Sequence, residues 1–284
     1  MLFDEYGRFI FFDGAMGTML QKRGLKPGRR PDIMNITSPE AVENVHSMYV
    51  QAGSDIICTN TFGANALALS ETGHSVQEVI TAAVSAAKRA CGGTNVKIAL
   101  DIGPVGYLLE PLGELTFDRA YELFKEQAIY GQNAGADMVA VETMSDLNEI
   151  RAAIFAVVEN TTLPVMATMT FGENGYTFTG TSPEDFAREA QSAGACAVGL
   201  NCSLEPVQMY DTARAIADST DLPLIIKPNA GLPDSNGLYS LAPAEFAWQM
   251  TWFAQLNSAQ MIVGGCCGTT PDYIKALREA FAKL

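Results

Sequence analysis

The segment Met138-Val139-Ala140-Val141-Glu142-Thr143, followed by a helix-period stretch over 146–159 and then by Pro164-Val165-Met166-Ala167-Thr168-Met169, decides how the rest of the chain is read. Two short runs, apolar almost without interruption, flank one amphipathic stretch. That is the pattern of parallel strands buried on both faces and joined by a helical crossover. The unit recurs. Strand-like runs at 8–13, 55–60 and 96–101 precede helix-period segments at 39–52, 76–91 and 117–134. Beyond the opening pair, runs at 164–169, 197–202, 223–227 and 261–265 precede segments at 183–193, 205–218, 243–256 and 271–281. Eight βα units without a linker or low-complexity stretch predict an α/β fold, a (β/α)8 TIM barrel forming a single domain over 1–284. An open doubly wound sheet fits less well. The first βα turn, Asp13-Gly14-Ala15-Met16-Gly17-Thr18, lacks the dinucleotide-binding spacing, and no phosphate-cradling Gly-x-x-x-x-Gly-Lys-Ser/Thr loop occurs.

Punctuation supports these boundaries. Ser38-Pro39, Ser182-Pro183 and Thr270-Pro271 place a capping hydroxyl before a proline at the first helical position. Ala52-Gly53, Ala134-Gly135 and Ala193-Gly194 each end a helix just before the next strand. The stretches 103–116 and 228–241 follow strand ends and read as active-site loops.

The chain has 284 residues with 18 basic and 32 acidic side chains, a net charge of −14. Such a surface repels a phosphate backbone, which argues against nucleic acid or an anionic membrane as partner. No apolar run approaches the roughly 20 residues of a membrane span, and the first residues lack the basic-then-apolar order of a secretory leader. A cytoplasmic protein is expected. Its six cysteines then read as reduced thiols rather than a disulfide frame.

Three of those thiols stand apart. Met261-Ile262-Val263-Gly264-Gly265-Cys266-Cys267-Gly268 ends an apolar run in a glycine-flanked Cys pair, and Ala197-Val198-Gly199-Leu200-Asn201-Cys202-Ser203 ends another in a single thiol. Successive strand side chains point to opposite faces, so two adjacent thiolates converge only where a strand gives way to a turn, and glycine permits that turn. Three soft sulfurs with no obvious fourth protein ligand suit Zn²⁺ with one position left open, the catalytic arrangement. Cysteine is also a common small core residue, but placement at the functional end of barrel strands favours the metal. Cys91 and Cys196 read as core, and Cys58 as either core or pocket wall.

Other polar residues end apolar strands in the same way: Asp13, Asn60, Thr61, Asp101, Glu142 and Asn229. An acid closing an apolar strand is rarely buried without a partner, which singles out Glu142. Asp13, before Gly14, suits a turn as well as a ligand contact. Asp101 and Asn229 read as loop hydrogen-bonders. His46, inside a helix, and His74, in a loop, read as surface or capping residues.

Asp13-Gly14-Ala15-Met16-Gly17-Thr18, Thr59-Asn60-Thr61-Phe62-Gly63-Ala64-Asn65, Gly199-Leu200-Asn201-Cys202-Ser203 and Gly264-Gly265-Cys266-Cys267-Gly268-Thr269-Thr270-Pro271 resemble the homocysteine S-methyltransferase family across essentially the whole chain. Met169-Thr170-Phe171, Thr179-Gly180-Thr181 and Lys227-Pro228-Asn229-Ala230-Gly231 bring it nearest to the homocysteine-binding module of cobalamin-dependent methionine synthases. The resemblance implies Zn²⁺ on Cys202, Cys266 and Cys267, binding the sulfur of homocysteine or another small thiol. It also implies Asp13 and Glu142 on the substrate ammonium and the backbone of Gly14 and Ala15 on its carboxylate, with Asn60 a further pocket residue. At Cys58 the pattern usually has an acid. The resembled synthases continue into folate- and cobalamin-binding modules, so a methylcorrinoid on a separate protein is the expected donor, and methionine the product. A sulfonium or betaine donor, or a non-catalytic zinc-binding barrel, are the alternatives.

Overall fold

Alternation along each strand sorts the apolar side chains into two sets. The computed structural model describes residues 3, 6–26, 28–232 and 239–284. Its first half runs β1 (Phe9–Phe11), α1 (Met16–Gln21), α2 (Met34–Thr37), α3 (Pro39–Ala52), β2 (Ile56–Cys58), α4 (Ala66–Leu69), α5 (Val76–Cys91), β3 (Lys97–Ile102), α6 (Phe117–Ala134), β4 (Met138–Met144) and α7 (Leu147–Asn160). The second half is β5 (Val165–Met169), α8 (Pro183–Ala193), β6 (Ala197–Asn201), α9 (Pro206–Ala217), β7 (Leu224–Lys227), α10 (Pro243–Met250), β8 (Met261–Val263) and α11 (Pro271–Phe281). All ladders are parallel, in the order β1-β8-β7-β6-β5-β4-β3-β2. One parallel bridge, Phe12 to Ile56, joins the two ends and makes the sheet a nearly closed (β/α)8 barrel.

Ile10, Phe12, Ile56, Ala99, Met138, Ala140, Met166, Ala197, Ile225 and Ile262 fill the barrel interior. The intervening residues, Ile57, Leu100, Val139, Val141, Val198, Leu200 and Ile226 among them, pack outward against the helices. Strands buried on both sides account for the near-continuous apolar runs.

Several local expectations needed correction. Only Ser182 of the three Ser/Thr-Pro sites caps through its side chain, accepting from the Asp185 N–H at 3.1 Å. Ser38 and Thr270 make no such bond, and Ser38 sits at φ −152° and ψ 55°, away from the extended geometry of Ser182. The glycine stops hold, with Gly53, Gly135 and Gly194 all left-handed at φ 97°, 88° and 104°. The helix of the seventh βα unit, α10, is shorter than 243–256, ending at Met250 and tightening into a 3-10 turn at Thr251–Gln255. His46 is fully buried, not a surface or capping residue, because α3 packs between α5 and α11. Residues 233–238 of the expected loop, and 1, 2, 4 and 5 of the N-terminal reading, lie outside the described residues. Among the described residues no helix is long and apolar enough to cross a membrane.

Candidate metal and substrate site

Two residues beyond inward-facing Ile56, Ala99, Ala140, Met166 and Ile225, the same alternation brings Cys58, Asp101, Glu142, Thr168 and Lys227 into the barrel at the C-terminal strand ends. The interior is thus apolar below and polar above. Asp13, Gly14, Ala15, Asn60, Glu142, Cys202, Cys266 and Cys267, the residues expected to bind metal or substrate, line one cavity of about 240 Å³ at this mouth, together with Cys58, Asp101 and Lys227, whereas Thr61 and Asn229 are not part of its lining. A larger hollow of about 540 Å³ lies elsewhere, among Lys26, Arg29, Arg30 and Glu71, and holds none of these groups.

The sulfurs of Cys202, Cys266 and Cys267 all lie within 4.8 Å of one another, and Cys202 Sγ is 3.9 Å from Cys267 Sγ. Backbone bonds across the β7 and β8 ends hold them there: the Cys202 N–H donates to Lys227 O, the Cys266 N–H to Pro228 O, and the Ala230 N–H to Cys267 O. Glycine turns the chain beside the Cys pair, where Gly268 has φ 84°. At β6 no glycine is used. Cys202 and Ser203 themselves adopt left-handed backbone, φ 63° and 57°, a conformation that costs a non-glycine residue about 1–2 kcal/mol. Contact with the Cys266 and Cys267 sulfurs pulls the Cys202 thiol down to about 3, and contact with Cys202 pushes Cys267 up to about 11 and Cys266 up as well. One sulfur of the three carries charge readily, and a divalent cation could collect the other two by displacing their protons. Three convergent thiolates fit Zn²⁺ and its tetrahedral preference.

Asn201 anchors this arrangement and was not singled out from the sequence. Fully buried at the end of β6, it accepts from the Thr143 N–H at 2.9 Å and the Thr168 hydroxyl at 2.8 Å, and donates to Thr143 Oγ1 at 2.7 Å and Cys266 Sγ at 3.8 Å. Thr143 is also left-handed, φ 61°, and is gripped on both sides by that amide. Tyr239 packs its ring over Gly268, where a Cβ would come within 2.2 Å.

The acids form a second cluster. Glu142 Oε2 accepts from Lys227 Nζ at 2.6 Å, an ion pair almost wholly buried. Lys227 also lies 4.3 Å from the Phe12 ring centroid. Burial works against its charge, but Glu142, Cys58 and Asp13 outweigh that and hold its pKa above the ordinary range. Asp13 Oδ2 accepts the Cys58 N–H at 2.8 Å, whereas Oδ1 is buried without a partner. Burial, opposed by Lys227, pushes Asp13 up to about 7. Asp101 is likewise raised, by burial and then by Glu142, and its Oδ1 is also buried and unpartnered. Asp101, expected as a loop hydrogen-bonder, faces the cavity instead, and for Lys227 the alternation from Ile225 was the available signal.

The turn after β1 behaves differently from expectation in one respect. Gly14 is required by packing, since a Cβ there would lie 2.6 Å from Thr269 Oγ1 and 3.0 Å from the Tyr49 hydroxyl. The Ala15 N–H donates to Thr269 Oγ1 at 3.2 Å, and that hydroxyl donates to Cys266 O at 2.7 Å. Asn60 borders the cavity, but its amide donates to Pro31 O at 2.7 Å and Asn35 Oδ1 at 3.1 Å.

A family model described as Homocysteine S-methyltransferase matches residues 10–281. The chain belongs to this family. A methionine synthase of Mycobacterium leprae (strain TN) is 30% identical over 299 residues, an alignment covering 97% of this chain and 24% of that protein. The chain therefore spans about a quarter of the length of that relative. The metallated form of the homocysteine methyltransferase MmuM from Escherichia coli superposes with a TM-score of 0.83 at 22% identity, covering 98% of this chain and 99% of that one. Its apo form gives 0.78 at the same identity, with 99% and 100% covered. These two share the barrel fold.

Proposed function

We propose that the protein transfers a methyl group to homocysteine to give methionine, with Zn²⁺ on Cys202, Cys266 and Cys267 and a methylcorrinoid on a separate protein as donor. The observation that carries this reading is the convergence of three sulfurs, mutually within 4.8 Å, at the wall of a cavity that also holds buried acids. Cys202, Cys266 and Cys267 would hold the Zn²⁺, which would supply Lewis acidity that lowers the pKa of an acceptor thiol, so that a nucleophile would exist at neutral pH without a general base.

The chain's own groups then orient the acceptor. Asp13 and Glu142 offer carboxylate oxygens to its ammonium, a charge-assisted contact in a site sheltered from water. Its carboxylate lies against the backbone at Gly14 and Ala15, the Ala15 N–H exchanging the neutral Thr269 hydroxyl for a charged acceptor, and Asn60 holds the adjoining wall. Phe62, which lines the cavity, and Tyr107, Leu108, Tyr176 and Phe178, on the loops that follow β3 and β5, are exposed apolar side chains. Exposed apolar groups on loops at the C-terminal strand ends suit a carrier protein that docks to deliver the methyl group more than a freely diffusing small donor. Six unpaired thiols suit a reducing, cytoplasmic setting.

The test is a donor panel. Zinc-loaded protein and homocysteine are incubated with methylcobalamin, a methylated corrinoid protein, S-methylmethionine and betaine, and methionine is quantified. Methionine from either corrinoid, abolished by chelation, is the expected result. Turnover with S-methylmethionine or betaine alone would replace the donor, and none with any donor would refute the function.

A further inference from the structure

Asp13 Oδ1 and Asp101 Oδ1 are buried carboxylate oxygens with no hydrogen-bond partner among the described residues, and both residues line the same cavity. Such oxygens are costly unless something supplies donors. Within the cavity the basic side chain is Lys227, and its ammonium sits on Glu142 Oε2 at 2.6 Å. That pair accounts for one acid of three. Asp13 and Asp101 border the same cavity as Glu142, whose second oxygen takes no part in the pair with Lys227. An Asp101 oxygen, a Glu142 oxygen and Cys58 Sγ lie within 4.8 Å of one another, so these groups reach a common point.

We infer that Asp101 is a further specificity-determining residue: with Asp13 and the free oxygen of Glu142 it completes a three-carboxylate seat for the acceptor's ammonium, while Lys227 fixes Glu142 from below. The inference rests on the proposed acceptor reading and deepens it. An ammonium has three N–H donors, and three carboxylates offer one acceptor each. A second metal ion at Cys58, Asp101 and Glu142 is the competing occupant. The Lys227 ammonium already sits on one of those ligands and repels a divalent cation, whereas a primary ammonium needs only the oxygens left over. The resulting pocket selects an aminated thiol over one of equal length that lacks the amine.

Calorimetric titration of the zinc-loaded full chain with L-homocysteine and with 4-sulfanylbutanoic acid, the same thiol and carboxylate without the amine, tests this. Wild type should prefer homocysteine. Asp101→Asn, which keeps shape and removes charge, should cut that preference about 10- to 100-fold by weakening homocysteine alone, with one zinc per chain retained. Asp101→Ser, checked by melting temperature and zinc content, guards against an effect peculiar to asparagine. An unchanged preference in both variants, or equal weakening of both thiols, overturns the inference and leaves the proposed function standing. A second zinc in wild type that is lost in Asp101→Asn overturns it in favour of a metal. Failure of L-homocysteine to bind wild type refutes the acceptor reading itself.

Discussion

Replacing Asn201 with alanine separates the support of the sulfurs from the sulfurs themselves. The wild-type side chain is fully buried and fills its hydrogen-bonding capacity with two accepted bonds, from the Thr143 N–H and the Thr168 hydroxyl, and two donated ones, to Thr143 Oγ1 and Cys266 Sγ. Alanine leaves the part-buried Thr143 N–H without its acceptor, at a cost of about 1–2 kcal/mol, whereas the two hydroxyls can turn toward other partners at about 0.5–1 kcal/mol each. With the small cavity added, the loss is about 3 kcal/mol, or roughly a hundredfold in the folding equilibrium. Zinc affinity should fall as well, by about 10- to 100-fold, because Cys266 loses the N–H that orients its sulfur and Thr143 loses the grip that holds its left-handed backbone. Urea unfolding of the metal-free protein measures the first effect, and competition with a chromophoric chelator the second. An unfolding free energy within about 1 kcal/mol of wild type, together with unaltered zinc affinity, would refute the reasoning.

Further expectations concern pH and the turns. Burial lowers His46 from 6.5 to about 4, so the unfolded chain binds more protons in that window and stability falls as pH drops from 6.5 to 4, by about 3 kcal/mol at most. His46→Leu should flatten that limb of a stability–pH profile; an identical slope in the variant would exclude His46. Glu149, buried at the start of α7 with the Val105 N–H on its Oε1, is raised by burial to about 7, so its contribution runs the other way and weakens the fold as pH rises from 4.5 to 7. Glu149→Gln, which keeps the oxygen facing Val105, should therefore stabilise the protein at pH 8 and have little effect at pH 4, as thermal melts would reveal. Gly268→Ala should reduce zinc binding, since the left-handed φ of 84° and the Tyr239 ring leave no room for a methyl beside Cys267; wild-type zinc affinity in that variant would contradict the account.

Much of the barrel was legible because its signals are local. Helices α5 and α6 fall at 76–91 and 117–134 as expected, their starts marked by Ser75 and Thr116 and α6 closed by Gly135. Polar residues closing apolar strands led to the mouth, and cysteine type and placement led to the three converging sulfurs. What escaped depends on contacts far apart in sequence. Whether Ser38 caps is decided by its backbone angles, not by the proline after it. His46 is buried because α5 and α11 cover it, which periodicity within α3 cannot say. Lys227 looked like a strand end; its importance lies in Glu142, which meets it across the barrel from β4. The short helices α1, α2 and α4 are single-turn or two-turn pieces of the loops after β1 and β2, too brief for a period to register.

The meeting of β1 and β2 has a consequence of its own. Where the other strands are laced by full ladders, this seam has the Phe12–Ile56 bridge, the Asp55 N–H on Phe11 O at 2.7 Å, and two aspartates: Asp55 Oδ2 takes the Phe11 N–H at 2.8 Å and Asp13 Oδ2 takes the Cys58 N–H at 2.8 Å. The cylinder is closed partly by carboxylates acting as clasps. One clasp, Asp13, also faces the cavity, so whatever occupies the mouth pulls on the same side chain that keeps the staves together. Ligand occupancy and slow amide exchange at Cys58 become two readings of one latch.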